Sequence, residues 1–374
     1  MDTIDQKRTL KMKTHIPRIV LTGGPCAGKT TAISEMATWA RETGYLPIIV
    51  PEAATFLMAA GLDPRDPNFQ VAVLAHVLHT EASLEGYAQA QAVKGSKPVL
   101  ICDRALWDQA AYMDVAAFRQ LCHEYDVHAD KAKGDRYDGV IFMRSAAVGA
   151  EPFYSNESNP NRYESLSEAQ DLDERTLHAW AGVSHLGVID NRANQTFEQK
   201  IRRTVAEFSR VLGIPEPMEI ERKFDIHDFA VGQLPRHTVK SEIIQSYLLA
   251  DTGVTERVRA RSYDGQWVFT HTIKQFVSSG VAVERERIVT KVQYEDLLVR
   301  VDRSRATIHK FRHCFLYGNH HYELDVFLSG ARKGQVMLEV EVGSLDDEIF
   351  LPLFLSIGDE RTNDPTATNY SMAG

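Results

Sequence analysis

Short apolar runs alternate with longer amphipathic segments through the first half of this 374-residue chain. The apolar runs predict strands at 18–22, 46–50, 99–102, 140–143 and 186–189. Each run precedes a segment long enough for a crossover helix, which is the pattern of a parallel sheet with helices on both faces. We therefore expect an α/β domain in this half.

Two helices of this half have recognisable ends. The first begins near Lys29 and stops at Gly44, a residue type that readily takes the left-handed conformation after a helix. The last begins at Thr196, which forms a capping-box pattern with Gln199, and ends at Gly213. These helices are expected to pack on the predicted sheet.

A break at 214–217, which contains two prolines, separates two parts of the chain with different patterns of charged and apolar residues. Beyond it charged and apolar residues alternate strictly, and the alternation places Glu219, Glu221 and Lys223 on one face of a strand. We therefore divide the chain into a flexible N-terminus at 1–15, a first domain at 16–214 and a second domain at 218–374.

The same alternation recurs later with paired bases or paired acids. It is found at 257–261, 270–274, 284–286, 310–312, 323–325 and 339–341. An antiparallel sheet with one solvated face would produce this pattern strand by strand. The joint presence of acid-bearing and base-bearing strands favours a closed antiparallel β-barrel with a charged lumen, so that an α/β domain is followed by an α+β domain. Clustered bases suit a polyphosphate, and clustered carboxylates suit its divalent cations.

Composition fits two globular domains, with 44% hydrophobic and 25% charged residues. The formal net charge of −9 argues against a general nucleic-acid binder, so no nucleic-acid partner is expected. The four cysteines form no C-x-x-C pair, which is typical of reduced thiols in a cytoplasmic protein. No apolar stretch is long enough to span a bilayer, so any membrane contact is expected to be peripheral.

The segment from Gly23 to Thr30 follows the first predicted strand and fits the phosphate-loop pattern G-x-x-x-x-G-K-[ST]. Glycines let backbone N–H groups face the phosphates, and the following helix N-terminus adds its positive end. Lys29 would reach the β- and γ-phosphates while the Thr30 hydroxyl ligates Mg²⁺. The predicted nucleotide-binding residues are Gly23, Gly24, Pro25, Cys26, Ala27, Gly28, Lys29, Thr30, Thr31, Arg104 and Arg162. Arg162 and Arg175 belong to a segment that we interpret as a mobile lid. The sequence does not distinguish ATP from GTP.

A second group of candidates follows the neighbouring strands. Asp103 and Arg104 end the third predicted strand, and Glu52 follows the second. Carboxyl ends of strands line the crevice in open α/β sheets, which favours a site role for Asp103. The domain resembles P-loop kinases that include the nicotinamide riboside kinase domain of NadR-like proteins. That resemblance implies Asp103 near Mg²⁺, Arg104 near the phosphates and Glu52 near a substrate hydroxyl, so the predicted catalytic residues are Lys29, Glu52 and Asp103.

The run Glu219-Ile220-Glu221-Arg222-Lys223 matches the E-x-E-x-K signature of the CYTH, or triphosphate tunnel metalloenzyme, superfamily. The later charged strands follow in that family's order, so the resemblance covers residues 218 to about 371. It implies a barrel whose tunnel holds a triphosphate with Mg²⁺ or Mn²⁺. By this resemblance the phosphates would be bound by Lys223, Arg257, Arg259, Lys274, Lys310 and Arg312. The metal ligands would be Thr30 and Asp103 in the first domain and Glu219, Glu221, Asp325, Glu339 and Glu341 in the tunnel. One departure is the segment 359–362, where the family usually has an E-V-T turn.

The order of the two halves resembles the translocation-defect protein family, which implies GTP binding and a tunnel linked to phosphoinositides or phospholipids. Three functions stay open at this point. In the first, the protein is an enzyme that hydrolyses ATP or GTP and cleaves a triphosphate or another polyanion in its tunnel. In the second, it is a GTP-gated regulatory protein whose tunnel binds an anionic head group at a membrane surface. In the third, it is a kinase for a small metabolite. The tunnel acids favour the enzyme, because so many negative charges in an anion site need a metal to neutralise them.

Overall fold

The computed structural model describes residues 14–155, 164–193, 195–216, 218–330 and 332–373. The first domain contains five strands: β1 (Arg18–Thr22), β2 (Leu46–Val50), β3 (Pro98–Asp103), β4 (Gly139–Met143) and β5 (Leu186–Ile189). They form one parallel sheet in the order β2-β3-β1-β4-β5. All five predicted strands are confirmed, with bounds that differ from the prediction by at most one residue.

The helices of this domain cover both faces of the sheet. They are α1 (Lys29–Glu42), α2 (Ala53–Ala59), α3 (Phe69–Val93), α4 (Val115–Glu124), α5 (Ala129–Asp135), α6 (Leu166–Ala179) and α7 (Phe197–Val211), with 3₁₀ turns at Leu106–Ala111 and Glu151–Phe153. Val20 of β1 faces a core with Trp107 and Trp180. Its neighbours Ile19 and Leu21 face the opposite core, which contains Met36 of α1 and Phe208 of α7. Two-sided burial explains the continuous apolar runs of these strands.

The second domain is a closed antiparallel barrel. Its strands are β6 (Met218–His227), β7 (Val239–Leu248), β8 (Val254–Tyr263), β9 (Gln266–Ser278), β10 (Val281–Val289), β11 (Ile308–Tyr317), β12 (His320–Phe327) and β13 (Val336–Glu341). The sheet runs β10-β9-β8-β7-β11-β12-β13-β6, and pairing of β10 with β6 closes it. A further strand, β14 (Ser356–Glu360), pairs with β6. The predicted barrel is therefore confirmed.

The outer face of the barrel carries its apolar packing. On one side Phe224, Leu324 and Leu338 pack against the segment that precedes β14. On another, Val258 and Ala260 pack beneath α8 (Lys291–Leu298). A short α9 (Asn369–Met372) and 3₁₀ turns at Val231–Gln233 and Pro365–Ala367 complete the domain. Because the apolar residues point outward, their charged neighbours along each strand point into the lumen.

The two domains are packed together. A side chain at Gly134 of α5 would lie 2.4 Å from the ring of Tyr263 of β8. The backbone N–H of Gly182 donates to His321 Nε2 of β12 at 3.2 Å, and Leu316 of β11 shares a buried cluster with residues of the first domain. No helix within the described residues combines the length and the apolar character that crossing a bilayer requires.

Candidate functional sites in the phosphate loop and the tunnel

The phosphate loop lies between β1 and α1, at the carboxyl edge of the sheet. Its glycines are required by geometry, since Gly23 has φ 144° and Gly28 has φ 92°, a region that favours glycine. A Cβ atom at Gly23 would also lie 2.0 Å from the carbonyl oxygen of Met143. The loop therefore has the backbone that its sequence motif predicts.

Lys29 folds back over this loop. Its Nζ donates to the carbonyl oxygens of Gly23 and Gly24 at 3.3 and 3.4 Å, and burial lowers the pKa of Lys29. Thr30 and Thr31 follow in the first turn of α1 with exposed side chains. The Lys29 cation and the hydroxyl groups of Thr30 and Thr31 therefore lie together in the first turn of α1, as binding of a nucleotide with its metal requires.

Asp173 of α6 contacts the loop, a role that the sequence did not reveal. Its Oδ1 accepts from the backbone N–H of Gly24 at 2.9 Å and from that of Ser145 at 2.8 Å, while Arg144 Nη1 lies 3.1 Å from Oδ2. A buried carboxylate thus occupies a loop amide of the kind that binds phosphate oxygens. The only sequence signal was its place in the segment interpreted as a lid.

Arg175, one of the two predicted lid arginines, binds groups outside the phosphate loop. Arg175 is directed elsewhere, with its Nη1 on the carbonyl oxygen of Ala111 and its Nε 2.9 Å from Asp171. Arg162 lies outside the described residues. Arg104, the other predicted phosphate-binding arginine, donates from Nε to Glu52 at 2.8 Å.

Asp103 and Glu52 lie beside the loop, as predicted, because β3 and β2 are successive neighbours of β1. Asp103 Oδ1 is buried without a hydrogen bond, and burial raises the pKa of Asp103 to about 6. Asp108, which the sequence analysis missed, accepts from the Thr22 hydroxyl and from the backbone N–H of Ala105 at the same edge. In the sequence, Asp108 is an acid in the turn after β3, and it could not be distinguished there from an ordinary surface residue.

A cavity of about 190 Å³ adjoins these groups. Lys29, Glu52 and Asp103 line one part of it, and apolar side chains such as Phe69 and Val73 of α3 line another. This cavity therefore offers space for a small, partly apolar molecule within reach of the phosphate loop.

The barrel encloses a larger cavity, of about 440 Å³, which we call the tunnel. The predicted residues that line it are Glu219, Glu221, Lys223, Arg257, Arg259, Lys274, Arg312, Glu339 and Glu341. Four more charged residues of the barrel strands that were not selected from the sequence also line it: Arg261, Glu284, Glu286 and Glu323. All four belong to alternating segments, so the pattern contained the signal.

Lys310 and Asp325 were predicted to bind phosphate and metal, but they do not line the tunnel. They are buried against each other, with Arg312 Nε donating to Asp325 Oδ1 at 2.7 Å. Burial lowers the pKa of Lys310 to about 8. Their charges satisfy one another, which leaves neither of them free for a ligand.

Most tunnel cations are held by acids. Lys223 Nζ donates to Glu221 at 2.6 Å and to Glu339 at 2.5 Å. Arg257 donates to Glu284 at 2.9 Å, and Lys274 to Glu219. These pairs make much of the lumen charge-balanced.

Glu219, Glu221 and Glu284 form what we call the acid cluster. Burial together with Glu221 and Glu284 raises the pKa of Glu219. Glu284 Oε2 is buried without a hydrogen bond. Within the described ranges no group of three or more His, Cys, Asp or Glu side chains is arranged as a metal site. By its chemistry the donor set of the cluster nevertheless suits a divalent cation, because carboxylate oxygens are the ligands that Mg²⁺ and Mn²⁺ prefer.

Arg259 and Arg261 differ from the other tunnel cations. Arg259 has Gln245 Oε1 at 3.4 Å and Glu286 Oε2 at 3.6 Å, and burial together with Arg257 lowers its pKa. Arg261 donates to the hydroxyl of Ser241 at 3.0 Å. Guanidinium groups with such weak partners can bind phosphate oxygens without first breaking a strong ion pair.

Glu341, a predicted metal ligand, is engaged by the first domain. Arg210 of α7 donates to Glu341 Oε1, and His185 Nδ1 lies 3.5 Å from Oε2. Glu207 Oε1 also contacts both Arg210 and His185. Although burial opposes it, Arg210 and His185 hold the pKa of Glu341 at about 2. We call these four residues the interdomain network.

Comparisons with known proteins matched one family model and several solved structures. A family model described as an AAA domain matches residues 18–200, and no curated protein matches the chain. Among solved structures, the inorganic triphosphatase NE1496 is 27% identical to this chain, with 41% of this chain and 93% of its own covered and a TM-score of 0.30. The PH1819 protein from Pyrococcus horikoshii OT3 is 19% identical, with 35% and 81% covered and a TM-score of 0.28. The first domain is thus similar to a P-loop-type AAA domain, while the resemblance of the whole chain to the translocation-defect family stays a prediction.

Proposed function

We propose that the tunnel binds and hydrolyses a short polyphosphate such as triphosphate. The observation that carries this proposal is the placement of Arg259 and Arg261, two weakly partnered cations, in one cavity with the acid cluster. A receptor for anions alone would gain nothing from three converging carboxylates. A site for an anion and its divalent cation needs both charges.

Each group of residues has a part in this reaction. Arg259 and Arg261 hold phosphate oxygens, and Lys223 and Arg257 exchange part of their carboxylate contacts for the substrate. The acid cluster would hold Mg²⁺ or Mn²⁺, which supplies charge neutralisation on the phosphate chain. Hydrolysis breaks one P–O bond of a P–O–P linkage, and water supplies the oxygen of the new P–O bond.

The first domain, in this proposal, binds ATP or GTP with Mg²⁺ at the phosphate loop and cleaves its γ-phosphate. The left-handed glycines and the position of Lys29 support it, since both match the demands of phosphate binding. Thr30 would ligate the metal, with Asp103 beside it.

A second function is favoured by one observation. The 190 Å³ cavity places Glu52 and Asp103 between the phosphate loop and an apolar wall. A small hydroxylated metabolite in this cavity would receive the γ-phosphate instead of water, with one carboxylate accepting the hydroxyl proton. Formation of ADP that depends on an added acceptor and is not matched by free phosphate would distinguish this kinase from an ATPase.

The tunnel proposal is tested with the full chain by following phosphate release from tripolyphosphate with Mg²⁺ or Mn²⁺. Arg259→Gln should weaken both binding and turnover, because it removes a weakly partnered cation of the tunnel. The matched control is Arg236→Gln, an exposed arginine of the same domain, which should behave as the unchanged protein.

Tight binding of tripolyphosphate without turnover under any metal condition would contradict the hydrolase. It would favour the alternative of a GTP-gated regulatory protein whose tunnel binds an anionic head group. Vesicles with phosphoinositide, compared with neutral vesicles, then test that alternative directly.

A further inference from the structure

Helix α7 touches both candidate sites. Near its N-terminus the ring of Phe197 lies against Gly28 of the phosphate loop, where an added Cβ would be 2.5 Å from Cε2. Near its C-terminus Arg210 binds Glu341 in the tunnel. The helix has 15 residues and is therefore about 22 Å long. A shift of one end is transmitted to the other, because a packed helix moves as a rigid unit.

Hydrogen bonds anchor the N-terminal half of α7 to the phosphate loop. Lys200 Nζ donates to the carbonyl oxygen of Arg144 at 2.6 Å and to Asn191 Oδ1 at 2.8 Å. Asn191 Nδ2 in turn donates to the carbonyl oxygen of Ser145 at 2.7 Å. Ser145 reaches the loop itself, since its hydroxyl donates to the carbonyl oxygen of Pro25. A ligand that rearranges the loop therefore acts on groups bonded to α7.

The C-terminal half of α7 is anchored to the tunnel through charge. Arg210 donates to Glu207 Oε1 at 2.9 Å and also to Glu341, so one guanidinium joins the two domains. Glu341 is aligned with Glu221 of the acid cluster in the pairing of β13 with β6. While Arg210 and His185 hold Glu341, that carboxylate is not available beside the acid cluster.

We propose that α7 couples the two sites, with Arg210 as the positioning residue that sets where the Glu341 carboxylate points. The inference rests on the proposed function, namely nucleotide at the loop and polyphosphate in the tunnel. It adds that binding at either site changes the affinity at the other. Linkage requires the same factor in both directions.

The test measures this factor in the full chain. The loop probe is a fluorescently labelled ADP or GDP, and the tunnel probe is tripolyphosphate without divalent metal, so that no turnover occurs. The Kd of the labelled nucleotide is measured against increasing tripolyphosphate, and the Kd of tripolyphosphate against increasing nucleotide. Coupling gives a change of about 5-fold or more that reaches a plateau. Direct competition at the loop gives a change without a plateau.

Two variants of α7 decide the role of Arg210. Arg210→Gln should bring the factor close to 1 while both ligands still bind. Arg202→Gln, an exposed arginine on the same helix, should retain the wild-type factor. Phe197→Ala breaks the opposite end of the connection, is half exposed, and should lower the factor without touching Glu341. It also keeps the test valid if Arg210→Gln does not fold.

The outcomes separate the inference from the proposed function. Binding of both probes with a factor of 1 in the wild-type protein overturns the coupling and leaves the proposed function in place. A factor that survives both Arg210→Gln and Phe197→Ala overturns the role of α7. Failure of tripolyphosphate to bind, or nucleotide binding that survives Lys29→Ala, overturns the proposed function itself and the coupling with it.

Discussion

At the scale of single residues, Glu219 is the tunnel acid whose negative charge its surroundings oppose most clearly. Burial, Glu221 and Glu284 all raise its pKa, and Lys274 is the cation that donates to it. Such a group is stabilised as a carboxylate when a divalent cation joins the site. Its role can therefore be separated from that of the cations around it.

We expect Glu219→Gln to abolish metal-dependent hydrolysis of tripolyphosphate and to retain or strengthen metal-free binding, because it removes a ligand oxygen and one of the negative charges that oppose Lys274. Phosphate release and calorimetric titration of tripolyphosphate check the two parts. Glu216→Gln, at an exposed acid just before the barrel, is the control. Full activity in the Glu219 variant would show that the acid cluster does not hold the metal.

A second residue, Lys133, predicts a pH dependence of stability. It is buried between the domains, donates to the carbonyl oxygen of Ala181 at 2.6 Å and lies 3.8 Å from the centre of the Trp107 ring. Burial lowers its pKa from 10.5 to about 7. Between these values the unfolded chain binds the proton and the folded protein does not, so this residue makes stability rise with pH.

We expect the free energy of unfolding of the wild-type protein to rise relative to Lys133→Met by on the order of 2 kcal/mol between pH 7 and pH 9. Urea unfolding of both proteins at a series of pH values measures the difference, and shared titrations cancel in it. A difference independent of pH would mean that Lys133 is solvated in the folded protein.

At the scale of elements, the sequence predicted most of the fold because local rules sufficed. The strands of the first domain are buried on both faces and therefore read as apolar runs, and the ends of α7 are set by Thr196 and Gly213. The barrel was recognisable because its charged lumen leaves alternating charges along each strand. Alternation along a strand predicts which face a side chain lies on, but not which group it pairs with. For this reason Lys310 and Asp325 were predicted to line the tunnel.

Contacts between distant segments could not be predicted in the same way. Asp173 reaches the phosphate loop, and Arg210 reaches Glu341, only because several elements pack together. Apart from the position of Asp173 in the segment interpreted as a lid, nothing in the sequence marks these residues, since acids and arginines on helices are most often solvated. The tunnel lining was therefore predicted better than the groups that surround the phosphate loop.

The cap of α7 supplies a prediction at this scale. The Thr196 hydroxyl accepts from the backbone N–H of Gln199 at 3.3 Å, and Gln199 Oε1 accepts from the backbone N–H of Thr196 at 2.8 Å. Thr196→Ala should lower the free energy of unfolding by about 1 kcal/mol, whereas Thr196→Ser, which keeps the acceptor, should cost less. Urea unfolding compares the three proteins, and equal losses for both variants would argue against the cap.

At the scale of the whole molecule, the contact between the domains is tight at Gly134. A Cβ atom there would overlap the Tyr263 ring at 2.4 Å, whereas one at Gly86 of α3 meets nothing within 4 Å. Gly134→Ala should therefore destabilise the protein by about 1–3 kcal/mol, and Gly86→Ala should stabilise it by up to about 1 kcal/mol. Thermal unfolding of both variants gives the two signs. A stabilised Gly134→Ala would mean that the domains are not held at this contact.

The closure of the barrel has a consequence for the growing polypeptide. Strand β6 is made first, yet its partners on either edge, β10 and β13, are made much later. Until then both edges of β6 expose unpaired backbone groups, which is the condition under which strands of neighbouring chains associate. Glu219, Glu221 and Lys223 alternate with other residues along this strand. The charges that later face a ligand are therefore expected to keep newly made chains apart during synthesis.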